Sequence, residues 1–185
     1  MAYKAQGIDG WRGSWLRKAM WSGAAFLLLL PAVAMRFTAE VNWTGSDFVF
    51  AAVLLFGSAG LVELAMRASS SLAYRAGAVV AVGTSFLTIW ANAAVGMIGS
   101  EDNPYNLWFL GVIALALLGS LVARFGARGM AVAMSVAGIA QAVAGAGGMG
   151  SDLRGGVLSA SFGALWLLSA ALFHKAAGDS LRQNV

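Results

Sequence analysis

The chain has no cysteine and a single histidine, His174. The first absence excludes disulfides, thiolate zinc sites and a cysteine nucleophile; the second excludes paired-histidine haem ligation and any histidine-rich metal centre. Charge is scarce too. Asp, Glu, Lys and Arg make up 11% of the 185 residues, against about a quarter in a soluble domain, so too little polar surface exists to clothe a water-soluble fold. The formal net charge of +4 does not point to nucleic acid, because the basic residues are scattered in twos and fours between apolar blocks.

What the chain does have is apolar sequence in long blocks. Hydrophobic residues are 59% of the total, and six stretches stand out: 19–37, 48–66, 76–98, 107–123, 129–146 and 157–173. Each is near the ~20 residues that a helix needs to cross a hydrocarbon core. The expected fold is therefore all-α, an integral membrane bundle of six transmembrane helices with short loops, in which consecutive helices are antiparallel neighbours. Residues 1–18 are expected to form a cytoplasmic segment, 19–174 the membrane domain and 175–185 a cytoplasmic tail.

The positive-inside rule tests that count, since cytoplasmic loops collect Lys and Arg. With the N-terminus inside, the inner segments hold ten cations: Lys4, Arg12, Arg17, Lys18, Arg67, Arg75, Arg124, Arg128, Lys175 and Arg182. The outer segments hold two, Arg36 and Arg154. A missed or invented span would scramble this alternation. Most acids, namely Glu40, Asp47, Glu101, Asp102 and Asp152, fall outside.

Local signals agree with these ends. Asn103-Pro104 reads as an N-cap followed by proline at the first helical position. Thr44-Gly45-Ser46-Asp47 has capping-box spacing before Phe48. Trp43 and Trp108 are expected at the outer interface and Trp21 at the inner one. The tryptophan and cation mixture from Trp11 to Lys18 suits a short interfacial helix on an anionic leaflet. A competing reading takes the basic start, the apolar core and Ala32-Val33-Ala34 as a signal peptide cut after Ala34, although the stretch is long enough to span. A weak parallel repeat aligns the second and third spans with the fourth and fifth, matching Gly60 with Gly119 and Asn92 with Gln141.

Few residues promise chemistry. Glu63 is the only acid inside a span, which makes it a functional candidate by default, yet Arg67 at i+4 offers a simple local ion pair. Asn92 and Gln141 lie at similar depth and must find hydrogen-bond partners there; interhelical bonding is the plainer reading and a ligand contact the sharper one. The outer loops collect Glu40, Asn42, Thr44 and Asp47, then Glu101, Asp102, Asn103 and Asn106. These oxygens suit a hard cation, but the same residue types cap helices and form turns. Gly145-Ala146-Gly147-Gly148-Met149-Gly150 matches a dinucleotide fingerprint without the strand it needs. Gly57-Ser58-Ala59-Gly60 has no histidine within reach to serve as base. His174-Lys175 suits a helix C-terminus as a cation pair.

Several strings carry a resemblance: Phe37-Thr38-Ala39-Glu40-Val41-Asn42-Trp43-Thr44, Asp47-Phe48, Glu63-Leu64, Ala73-Tyr74-Arg75, Gly99-Ser100-Glu101-Asp102-Asn103-Pro104, Arg128-Gly129-Met130-Ala131 and Ala140-Gln141-Ala142. From Pro31 onward the chain resembles a set of small multi-spanning bacterial inner-membrane proteins of unassigned function. The resemblance implies a bacterial inner-membrane location with several spans, and it brings no catalytic residue, substrate or cofactor. The expected role is a non-enzymatic accessory or structural subunit, in a homo-oligomer or a larger membrane complex, whose main partner is the lipid bilayer. The alternative is a small transporter or channel using Glu63, Asn92 and Gln141. An intramembrane enzyme is a third reading that lacks any recognisable nucleophile and base.

Overall fold

A computed structural model describes the backbone of residues 5–182 and the side chains of 14–181. Lys4, and the side chains of Trp11, Arg12 and Arg182, lie outside the described residues. The described chain is helical, and six helices are long and apolar enough to cross a membrane. They are α1 (Ala5–Ala34), α2 (Gly45–Ala68), α3 (Leu72–Ala94), α4 (Leu107–Val122), α5 (Ala127–Gly148) and α6 (Leu153–Arg182). A single 3-10 turn, Pro104–Asn106, leads into α4.

The chain divides into two compact units, Met1–Leu64 and Ala65–Val185. The first contains α1 and most of α2. Proline removes one backbone donor from a helix interior, and Pro31 falls in the last turn of α1, four residues before the chain leaves the helix. Trp21 stacks on Phe56 with ring centroids 5.9 Å apart. The capping box at the start of α2 forms: Asp47 Oδ2 accepts from the Thr44 backbone N–H at 2.7 Å, and Thr44 Oγ1 accepts from the Asp47 N–H at 3.4 Å.

The second unit is built on the pairing of α5 with α6, on which α3 and α4 dock, α3 chiefly on α6 and α4 on α5. Apolar side chains gain little by leaving lipid, so close backbone approach through small residues supplies the contact instead. Gly138 and Gly145 of α5 face Gly156, Ala160 and Gly163 of α6. A Cβ at Gly163 would stand 2.8 Å from the Gly138 carbonyl oxygen, one at Gly156 would stand 2.8 Å from that of Gly145, and one at Gly145 would collide with the Ala160 backbone. Around this seam lie Trp166, Phe173, Met134, Tyr74 and Val112. Tyr74 meets Phe173 edge-on at 5.0 Å and donates its hydroxyl to the Phe125 carbonyl at 2.9 Å, which fixes the α4–α5 turn.

Three expectations change. The third helix stops at Ala94 rather than running to 98, because Gly96 takes a left-handed φ of 77° that a continuing helix forbids; Ile98 then folds inward and is fully buried. The sixth helix runs to Arg182 instead of ending near 173, since Lys175-Ala176-Ala177 continues it and a lone Gly178 lowers helix propensity without stopping it. And α3 has α6 rather than its sequence neighbour α4 as its main partner. The α3–α4 connection is long enough to allow that, whereas the four-residue links 123–126 and 149–152 force α4, α5 and α6 into antiparallel adjacency.

These contacts sort the glycines into two kinds. Gly145→Val is expected to lower unfolding stability in detergent by about 1–3 kcal/mol through overpacking. Gly83→Ala, where an added Cβ meets nothing within 4 Å, should stay within about 1 kcal/mol of wild type on the stabilising side. Thermal melts of both variants followed by tryptophan fluorescence check the ordering.

Candidate functional site

The polar residues of the second unit converge where α3 gives way to α4. Segment 95–106 has to reverse direction while carrying Met97 and Ile98 into the interior against Phe109. Gly96 and Gly99, with φ of 77° and 70°, make the reversal at positions where L side chains are disfavoured. The segment's backbone groups then need partners, because burial without them is costly.

Asn106 supplies two of them and is nearly fully buried. Its Oδ1 accepts from the Ile98 N–H at 2.8 Å and its Nδ2 donates to the Ser100 carbonyl at 2.7 Å. Asn103 Nδ2 donates to the Ile98 carbonyl at 3.0 Å, while its Oδ1 accepts from the Tyr105 N–H and so caps the 3-10 turn. The segment is also tied outward: Tyr105 Oη donates to the Ala144 carbonyl at 2.8 Å, and Ser159 Oγ to the Met97 carbonyl at 3.0 Å.

Asp152 closes the arrangement. As N-cap of α6 its Oδ1 accepts from the Gly155 N–H at 2.9 Å, and its Oδ2 accepts from the Gly99 N–H at 3.0 Å. One carboxylate therefore starts a helix and holds the loop to it. The Gly155 N–H, and after it the Gly99 N–H, favour the charged form and hold the carboxyl below its ordinary value.

Asn92 and Gln141 take part through their donors. Asn92 Nδ2 donates to the Asn106 carbonyl at 3.4 Å, and Gln141 Nε2, on a fully buried side chain, donates to the Ser159 carbonyl at 3.0 Å. Their acceptors, Asn92 Oδ1 and Gln141 Oε1, have no hydrogen-bond partner among the described residues, and neither has the indole N–H of buried Trp166. Glu101 and Asp102 are exposed in the turn that follows Ser100.

In the first unit, Glu63 Oε2 accepts from Trp21 Nε1 at 2.6 Å and Oε1 lies 3.9 Å from Arg17. These two partners come from α1, 42 and 46 positions away in sequence. Glu40 and Asn42 are exposed, with the Glu40 N–H bonded to Thr38 Oγ1 at 3.1 Å. Asp47 is occupied in its capping box. Among the described residues no three His, Asp or Glu side chains gather closely enough to hold a metal ion.

Sequence reasoning named Asn92, Asn103, Asn106 and Gln141 but missed Asp152, Tyr105 and Ser159 as members of one network. Asp152 had a readable signal, an N-cap residue immediately before an apolar block; the reach of Tyr105 and Ser159 had none.

Chemically, the arrangement is a hydrogen-bonded clasp whose side chains are engaged with backbone groups. Asp152 supplies its pH dependence. Its folded pKa lies below the unfolded one, so its contribution is complete above the ordinary aspartate range near about 4 and is lost as pH falls through that range and below. Acidification and Asp152→Ala are expected to loosen the same segment, read as faster amide exchange at Gly99 and Gly155 with the α5–α6 seam still protected. Comparison with known protein families, curated proteins and solved structures returns no match to this chain.

Proposed function

We propose that this chain is a non-enzymatic, multi-pass protein of the bacterial inner membrane, with both termini in the cytoplasm, serving as an accessory or structural subunit in a homo-oligomer or a larger complex. Its orientation is supported by the ten-to-two division of cations between alternate connections. The observation that carries the role is the use of polar side chains. Asn92, Asn103, Asn106, Gln141, Asp152 and Ser159 direct hydrogen bonds at backbone groups of the same unit, which is what a scaffold does with them and what a substrate path does not.

One observation favours the transporter or channel reading: the unpartnered Asn92 Oδ1, Gln141 Oε1 and Trp166 Nε1, because polar atoms in an apolar interior are costly unless something uses them. Gln141→Met separates the two readings. For a packing residue it removes one interhelical hydrogen bond and one orphaned acceptor, so stability should move by about 1 kcal/mol or less. Proteoliposomes should then pass no more protons or monovalent cations than empty liposomes. Flux above that background in the wild type, abolished in the variant, would overturn the scaffold reading.

The subunit role has its own test. Extracted directly from membranes into polymer-bounded nanodiscs, the tagged protein is expected to migrate with further copies or with stoichiometric companion chains. Migration as a lone protomer counts against it.

A further inference from the structure

At the opposite end of the second unit from the clasp, a groove of about 780 Å³ opens between the start of α3 and the last turns of α6. Its walls divide by chemistry. Leu72 and Leu172 line it with apolar surface, while Ser70, Ser71, Lys175 and Asp179 line it with polar groups.

Helix length sets the depth of these residues. At 1.5 Å per residue, about 20 residues cross a 30 Å hydrocarbon core, so a core entered at Leu153 is left near Leu172. Lys175 and Asp179 come roughly 5–10 Å later, in the headgroup layer. The serines sit at the same level, immediately before α3.

Two features give the groove its preference. Lys175 and Asp179 are i and i+4 on one helix and so face the same side, with Cβ atoms about 6 Å apart. Neither side chain makes an ion pair or hydrogen bond among the described residues. Opposite charges held side by side but not spent on each other match a ligand carrying both signs at similar spacing. Ser71 meanwhile caps α3 through its hydroxyl, which accepts from the Tyr74 N–H. That leaves the Leu72 and Ala73 N–H groups of the first turn as donors without an intrahelical acceptor, on the side where a phosphate would lie.

We propose that this groove binds one zwitterionic phospholipid with a primary ammonium headgroup. The phosphate lies toward Lys175 and the start of α3, the ammonium toward Asp179, and one acyl chain along Leu172. A purely anionic lipid would meet Asp179 as a repulsive neighbour, and a quaternary ammonium would offer it no N–H donor.

The proposal rests on the reading of α3 and α6 as membrane spans, which failure to enter lipid nanodiscs would refute by itself. For protein that does enter, native mass spectrometry after release from nanodiscs of phosphatidylcholine containing equal minor fractions of phosphatidylethanolamine and phosphatidylglycerol gives the test. One retained phosphatidylethanolamine per chain is expected, with Lys175→Gln and Asp179→Asn each reducing retention roughly tenfold, as loss of one charge-assisted contact implies. Preferential retention of phosphatidylglycerol, increased by Asp179→Asn, would overturn the proposal. So would retention of phosphatidylethanolamine unchanged in both variants.

Discussion

Everything in the second unit depends on the approach of α5 to α6. Where lipid is the solvent, hiding a leucine from it gains almost nothing, and helices adhere through van der Waals contact that only close backbones can deliver. Gly138 and Gly145 set against Gly156, Ala160 and Gly163 bring the carbonyl oxygens of one helix to where Cβ atoms of the other would otherwise stand. The larger side chains follow from that choice: Trp166, Met134 and Phe173 fill the flanks that the seam leaves open. Without the glycines the same flanks would hold the helices apart.

The clasp is the second consequence of an apolar setting. A connection that dips into the interior must satisfy its own backbone, and 95–106 does so with side chains that sequence reasoning weighs as ligand candidates. Asn106 acts as a surrogate strand partner, bonding the Ile98 N–H on one side and the Ser100 carbonyl on the other. Asp152 joins this segment to the first turn of α6. An amide or carboxylate used in this way has little capacity left for a substrate.

The count of six helices long and apolar enough to span was legible because length and hydropathy are written directly in the sequence, and the starts of α2 and of the 3-10 turn before α4 were legible because caps are local. Features set by distant partners were not. The apolar run from Val95 to Ile98 continues a helix on paper, and only the burial of Ile98 against Met97 and Phe109 shows why it turns at Gly96. Nothing near Glu63 announces Trp21 or Arg17, since hydrogen bonds between helices carry no sequence period. Gln141 is a buried amide in need of a partner, as its sequence position implies, and finds it on the adjacent helix α6, whereas the carbonyl that half-buried Asn92 reaches, that of Asn106, depends on how segment 95–106 turns. Nothing in the sequence announces that α3 pairs chiefly with α6.

That pairing also bears on whether the second unit can work by moving. Ser169 Oγ donates to the Gly77 carbonyl at 2.8 Å and Ser159 Oγ to the Met97 carbonyl. The two serines are ten residues, or about 15 Å, apart along α6. Other hydroxyls, those of Thr84, Thr88, Ser120 and Ser135, bond back to carbonyls four residues earlier in their own helices and restrain nothing across an interface. Of the two crossing bonds, the first reaches α3 and the second the segment that follows it; at roughly 1 kcal/mol or less each, they would not prevent α6 from sliding on α3. They act together with a Cβ-sized gap at Gly77, filled by Leu172 and Phe173, and with the edge contact of Phe173 on Tyr74. Sliding by one helical turn would break both bonds and drive Phe173 off Gly77. Alternating access needs two packings of similar energy, and the register seen here is one that satisfies both bonds and the shape at once.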